Sequence, residues 1–250
     1  MIIQRSGREI AIMREAGVLT ARALRAAGAA VEPGVTTLEL DAICRRVIED
    51  GGGIPSCLGY NGYPNTACVS INDEVIHGIP GKRTLKAGDI VSIDVCVGIG
   101  GYHGDSACTF ACGDISDDAR RLIESTEQAF WQGLKLAVAG GRIGDISNAV
   151  QRYAEGRGYS VVRDYTGHGI GTTLHEEPSV PNFGAPGRGA RLFPGMTFTI
   201  EPMINQGTKA VRVLPDDWTV VTIDGKLSAH YEHTIAITSD GPVILTMHNS

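Results

Sequence analysis

Several features are scarce in this 250-residue sequence, and each scarcity excludes something. No stretch approaches the roughly 20 apolar residues that a membrane-spanning helix needs. The opening Met1-Ile2-Ile3-Gln4-Arg5-Ser6 has no apolar run of signal-peptide length. No block of Lys and Arg stands out, and the formal charge is −6 at pH 7. Neither nucleic acid nor a membrane is therefore expected as a partner. The cysteines, Cys44, Cys57, Cys68, Cys96, Cys108 and Cys112, include no Cys-x-x-Cys pair, which argues against a zinc ribbon or a thioredoxin-type site. Without a secretion signal a disulfide framework is not expected either. The thiols read as small buried hydrophobes, and the chain as cytoplasmic.

What is present is ordinary globular material, 42% hydrophobic and 20% charged. A chain this long should bury roughly three quarters of its unfolded surface. Ile10, Met13, Gly17, Thr20, Leu24 and Ala27 form the apolar stripe of a helix over about Arg8–Ala29. Thr36 with Glu39 forms a capping-box pattern for a second helix, which Gly51-Gly52-Gly53 ends. Strand-like runs follow at Ala67–Ile71, Ile90–Val97 and Tyr102–Phe110. Ser116 then caps a helix running to Gly140-Gly141, and Asp145 caps a shorter one ending near Gly156. Strands dominate from there, with turns at Asp224-Gly225 and Ser239–Pro242. Both halves, about 1–115 and 116–250, repeat one order of elements, and no linker separates them. One domain of two related halves sharing a sheet is expected over residues 1–250.

Acids inside strand-like apolar segments are the main anomaly, because charges are seldom buried unless paired or bound to metal. Asp94 lies in Ile90–Val97 and Asp105 in Tyr102–Phe110. If the intervening turn centres between Ile99 and Gly100, the two stand directly opposite, with Cβ atoms roughly 5 Å apart. Two carboxylates there repel unless a cation lies between them. Glu201 closes Met196–Ile200, and Glu232 lies in the run Ser228–Ile237. His168 sits between glycines in Gly167-His168-Gly169-Ile170-Gly171; alone, such a histidine is more often structural than a ligand. His175-Glu176-Glu177-Pro178 is not His-Glu-x-x-His. His77 precedes Gly78 in a similar way.

The ordered set Val69–Pro80, Gly88–Val95, His103-Gly104-Asp105, Gly167–Gly171, His175–Pro178, Thr199–Pro202 and Tyr231–Thr234 resembles type I methionine aminopeptidases along nearly the whole chain. The resemblance implies an α+β, pseudo-twofold pita-bread architecture, a shared antiparallel sheet with helices on its outer face. It implies metal ligation by Asp94, Asp105, His168, Glu201 and Glu232, with Asp105 and Glu232 bridging two divalent ions. Oxygen-rich ligation with one imidazole suits cobalt, manganese, iron or zinc. The resemblance also implies that Glu201 moves a proton from water to the leaving amine, that His175 hydrogen-bonds the scissile carbonyl, and that His77 positions the substrate. It implies a methionine pocket of Cys57, Tyr60, Tyr63, Cys68, Leu174 and Trp218. Leu174 stands where relatives often carry Phe, and His230 where they usually carry Gln. Two residues before Glu232, His230 shares its strand face, so an extra imidazole is expected near the metals. Either departure is expected to bear on metal choice or pH dependence. The chain lacks the cysteine-rich extension and the long insertion of other forms, so it resembles the short bacterial one. The expected substrates are the N-termini of nascent polypeptides, met by a monomer near the ribosomal exit tunnel. Two alternatives stay open: an Xaa-Pro metallo-aminopeptidase, and a non-catalytic nascent-chain- or ribosome-binding module on the same fold.

Overall fold

The structure, a computed structural model, describes residues 1–247. Its first half runs α1 (Gly7–Ala29), α2 (Thr37–Asp50), β1 (Ile54–Pro55), a 3-10 turn at Tyr60–Gly62, β2 (Ala67–Ile71), β3 (Glu74–Ile76), β4 (Ile90–Ile99) and β5 (Tyr102–Ala111). The second half runs α3 (Asp117–Leu134), α4 (Ile143–Glu155), β6 (Ser160–Val161), β7 (Gly167–Gly169), β8 (Glu176–Val180), β9 (Thr197–Ile200) and β10 (Met203–Asn205). It ends with β11 (Val211–Val213), β12 (Val220–Thr222), β13 (Ser228–His230), β14 (Glu232–Thr238) and β15 (Gly241–Ile244).

The helices begin where side chains satisfy their free N–H groups. Glu9 accepts the Ser6 backbone N–H at 2.7 Å, and Glu39 accepts that of Thr36 at 2.7 Å. Ser116 caps α3 by accepting the Ala119 N–H at 3.2 Å. Two expectations change at helix ends. Asp145 caps α4 from inside its first turn, accepting the Arg142 N–H at 2.8 Å, so Arg142 is the residue at the cap position. And α3 stops at Leu134, short of Gly140. The Leu136 and Ala137 N–H groups bond three residues back, to Gly133 and Leu134, and this tightening ends the helix.

The main sheet is antiparallel and runs β1-β4-β5-β14-β9-β7-β8, with β2 also on β4 and β15 also on β14. The β5–β14 pair joins the two halves through Ala107↔Glu232 and Ser106↔His233. Alternate residues of each strand face opposite ways. Val91, Ile93, Val95 and Val97 pack on Leu19, Ala23, Leu40 and Ile48 of α1 and α2. Phe198, Ile200, Ile235 and Ile237 pack on Phe130 and Ile146 of α3 and α4. Full burial of each such side chain contributes about 1.5–3 kcal/mol. All four helices thus cover one face. The other parity (Asp94, Asp105, Glu232) is left facing away from them. Helix α1 lies so close to β5 that a Cβ on Gly104 would come within 2.8 Å of the Gly17 backbone.

The β4–β5 hairpin corrects the expected register. Its turn residues are Gly100 and Gly101, with φ of 58° and 80°, the paired positive values that a two-residue hairpin turn needs. Ile99 therefore pairs with Tyr102, Asp94 with Ala107, and Cys96 with Asp105. Asp94 and Asp105 are diagonal neighbours, not direct partners. Moving the turn centre by one residue shifts each pairing by two, so both acids keep the same face. Cys68↔Asp94, Asp94↔Ala107 and Ala107↔Glu232 form one row across four strands. The short Ala107 side chain leaves a gap between the two acids.

Candidate metal centre and its cavity

A cavity of about 440 Å³ opens over this row. Its wall holds the five expected ligands, Asp94, Asp105, His168, Glu201 and Glu232, together with His77 and His175. It also holds Cys57, Tyr60, Tyr63, Cys68, Leu174 and Trp218. All thirteen candidate residues therefore meet around one space, from positions up to 175 residues apart in sequence.

Pairing between distant strands gathers the acids. His233 pairs with Ile200 across β14 and β9, and the same register continued by one residue sets Glu201 beside Glu232. Asp105, Glu201 and Glu232 are 4%, 8% and 2% exposed. None of the four carboxylates has a Lys or Arg ion-pair partner among the described residues. Asp105 Oδ1 and Glu232 Oε1 are buried with no hydrogen-bond partner. Burial pushes Asp105 up to about 7 and Glu201 up to about 8. Asp94 and Glu232 are raised further, by burial first and then by the charge of Asp105. Four such groups cannot ionise together without a cation.

His168 stands against this cluster, with Nε2 3.7 Å from Asp105 Oδ2 and 3.6 Å from Glu201 Oε1. Its Nδ1 lies 2.9 Å from the Gly169 carbonyl, so Nδ1–H donates there and Nε2 keeps a lone pair toward the acids. Burial holds His168 down at about 3, so the ring is neutral, as a ligand must be. Thr199 ties the pair together. Its hydroxyl donates to Glu201 Oε1 at 2.6 Å and accepts the His168 N–H at 3.0 Å. Orphaned carboxylate oxygens and one oriented imidazole form an oxygen-rich donor set that fits divalent metal.

Most of the rest of the wall is apolar or aromatic, with Asn61, Asp164 and Thr166 as polar members. Tyr63 is only 3% exposed, held by its hydroxyl, which donates to the carbonyls of Ala67 at 3.1 Å and Gly78 at 2.9 Å. Tyr63 is thus an interior residue of the cavity wall. Trp218 meets Tyr63 edge-on at 5.0 Å and His77 at 6.1 Å between ring centroids. His77 has a φ of 59°, a backbone strain typical of functional positions. His175 stacks on Tyr60, its Nδ1 2.8 Å from the Tyr60 hydroxyl.

The wall also holds residues that sequence reasoning missed, notably Cys96, Ile76 and Tyr165. Cys96 was findable, since it follows Asp94 by two on a strand and so shares its face. Tyr165, edge-on to His77 at 5.8 Å, carried no local signal. His230 lies beside Glu201 and Glu232 but not on the cavity wall.

Comparison with known proteins agrees with this geometry. The profile of metallopeptidase family M24 matches residues 11–239. Methionine aminopeptidase 1 of Bacillus subtilis is 52% identical over 98% of this chain and 99% of its own length. The methionine aminopeptidase of Clostridium perfringens is 51% identical over 99% of both. The crystal structure of the Thermotoga maritima methionine aminopeptidase superimposes with a TM-score of 0.98 at 41% identity, covering 99% of this chain and 100% of that one. Prolidase from Pyrococcus furiosus, 20% identical, shares the fold alone, with a TM-score of 0.78 over 99% of this chain and 66% of its own. The sheet with helices on one face is the pita-bread fold of these proteins. The chain belongs to metallopeptidase family M24, among its methionine aminopeptidases.

Proposed function

We propose that this chain removes the N-terminal methionine from polypeptides by metal-assisted hydrolysis. The observation that carries the reading is three buried carboxylates, a partly buried fourth (Asp94) and a neutral imidazole on the wall of a cavity that sulfur and aromatic side chains also line. Asp94, Asp105, His168, Glu201 and Glu232 would hold the metal. Divalent metal bound there supplies Lewis acidity, lowering the pKa of water and polarising the scissile carbonyl.

The side chains perform the remaining tasks. The acidic cluster attracts the free α-amine of the substrate, which favours cleavage at a chain end. Glu201 carries a proton from the attacking water to the leaving amine. The Thr199 hydroxyl on Oε1 fixes the orientation in which it does so. In the tautomer that accepts the Tyr60 hydroxyl at Nδ1, 2.8 Å away, the Nε2–H of His175 is free to stabilise charge on the carbonyl oxygen. His77, held down at about 4 by burial and then by His175, is neutral and positions the substrate amide. Cys57, Tyr60, Tyr63, Cys68, Leu174 and Trp218 receive the methionine side chain, whose thioether suits polarisable sulfur and aromatic neighbours.

The fuller reading is two divalent ions, drawn from cobalt, manganese, iron or zinc. That more than one ion binds is supported by three overlapping donor groups, Asp94–Cys96–Asp105, Asp94–His230–Glu232 and Asp105–His168–Glu232. It also takes the chain as a cytoplasmic monomer that meets nascent polypeptides near the ribosome. The six free cysteines suit a reducing compartment, and no helix among the described residues is long and apolar enough to cross a membrane. Residues 1–250 would form one domain with halves of about 1–115 and 116–250, supported by the β5–β14 pairing between them; the last three residues lie outside those described.

The test compares Met-Ala-Ser, Leu-Ala-Ser and Ala-Pro peptides with metal-loaded protein, with and without chelator. Chelator-sensitive release of Met is expected. Its absence would sink the proposal, and preferred cleavage of Ala-Pro would favour the Xaa-Pro reading. Asp105→Asn should lose metal and activity together.

A further inference from the structure

His230 closes β13 and is 2% exposed. Its backbone is pinned, because Thr109 Oγ1 accepts its N–H at 2.9 Å and donates to its carbonyl at 2.9 Å. The ring is not pinned by anything comparable. Both Nδ1 and Nε2 are buried without a hydrogen-bond partner. Leaving a buried polar atom unpaired costs about 1–3 kcal/mol, so an imidazole orphaned at both nitrogens implies a partner of another kind.

The distances say which kind. His230 Nε2 lies 3.9 Å from Glu232 Oε2 and 4.0 Å from Glu201 Oε2. That is too long for a hydrogen bond. Two donors on one ion, at bonds of about 2.0–2.2 Å, stand about 3.0–3.6 Å apart at cis-octahedral to tetrahedral angles, so the ring lies a few tenths of an ångström from ligating distance, within reach of a small side-chain rotation. His168 Nε2, at 3.6 and 3.7 Å from its own two carboxylates, stands only slightly closer. Asp94, His230 and Glu232 each offer a donor atom within 4.8 Å of the others. Glu232 belongs to both imidazoles' donor groups.

We infer that His230 is an additional nitrogen ligand of the metal centre, beside Glu232, giving the centre two imidazoles instead of one. This rests on the reading of the four carboxylates and His168 as ligands. Imidazole suits zinc, iron and cobalt, whereas carboxylates alone suit magnesium and manganese. The second ring therefore biases the centre toward the first group. His168 and His230 differ in one respect: His168 Nδ1 is held by the Gly169 carbonyl, while His230 Nδ1 stays free of protein partners. At 2% exposure, its N–H proton should exchange slowly enough with bulk water to be seen.

The test uses the full chain stripped of metal and titrated with cobalt(II), zinc and manganese(II). Proton spectra of the cobalt-loaded wild type should show two hyperfine-shifted, exchangeable imidazole N–H signals. His230→Gln, which keeps a polar side chain of similar reach, should show one. Its preference for zinc over manganese, read from the two dissociation constants, should fall at least about tenfold. A single shifted signal in the wild type overturns the proposal even if the variant fails to fold. So does a folded variant with an unchanged metal preference. Wild type that binds none of the three ions overturns the metal centre itself, an outcome distinct from binding with one imidazole.

Discussion

Replacing Thr199 by Val tests how the centre is held in shape. Thr199 is fully buried, and Val nearly matches its volume, so packing changes little. What disappears is a hydroxyl that donates to Glu201 Oε1 at 2.6 Å and accepts the His168 N–H at 3.0 Å. Without metal, burial holds the Glu201 carboxyl up at about 8, so it is mostly protonated at pH 7 and the lost bond is of ordinary strength. Adding the orphaned His168 N–H gives about 2–3 kcal/mol of destabilisation for the metal-free protein. In the metal-loaded protein Glu201 is ionised, and the lost bond is charge-assisted. Both ligands then lose their orientation, and metal affinity should fall about 10- to 100-fold. Urea unfolding of chelator-treated protein measures the first effect, and metal titration the second. Thr199→Ser keeps the hydroxyl and should restore metal affinity. A Val variant within about 0.5 kcal/mol of wild type, with unchanged metal affinity, would refute the reasoning.

Further outcomes follow from neighbouring contacts. Arg5 is 6% exposed and grips both Glu176 oxygens, at 2.6 and 2.5 Å. Arg5→Met should cost about 1.5–3 kcal/mol by removing a charged donor from the partly buried Glu176 carboxylate, which keeps the Thr173 N–H, read as a drop in the urea midpoint; since Glu176 adjoins His175, kcat should fall as well. Tyr63→Phe removes the donor to the Ala67 and Gly78 carbonyls; about 1–2 kcal/mol of stability should go, with KM for Met-peptides rising more than kcat falls. His77 supplies a pH dependence. Its folded pKa of about 4 lies below the unfolded value of about 6.5, so the unfolded chain takes up the proton first. The contribution is complete above pH 6.5 and is lost as pH falls toward 4. The full shift corresponds to about 3 kcal/mol, reduced to about 1–2 because water reaches part of the ring. His77→Asn should flatten the fall in stability between those pH values, and parallel curves for the two proteins would contradict the assignment.

Local chemistry made much of this protein legible in its sequence. Capping residues such as Thr36 and Ser116 mark helix starts because they satisfy N–H groups within three residues. Asp94 and Asp105 stand out because an acid among Val and Ile needs a partner. Their shared face survives the misplaced turn because sheet alternation has a period of two. Register itself depended on which pair of glycines in Gly98–Gly101 takes the left-handed backbone, and several fit locally. Glu201 and Glu232 look alike in sequence and become neighbours only through the long-range pairing of β9 with β14. His168 is one loop histidine among several until the Gly169 carbonyl and the Thr199 hydroxyl fix it against the acids. The resemblance to methionine aminopeptidases named the ligands by position. Strand alternation put His230 on the face of Glu232 and so near the metals, but that both its nitrogens go unpartnered beside Glu201 and Glu232 appears only once β13 and β14 are folded against the rest. Sequence determines which groups must be hidden or paired, because those demands are local. Tertiary structure decides which of them meet, because that requires closing loops from 31 residues (Glu201 to Glu232) to 127 residues (Asp105 to Glu232).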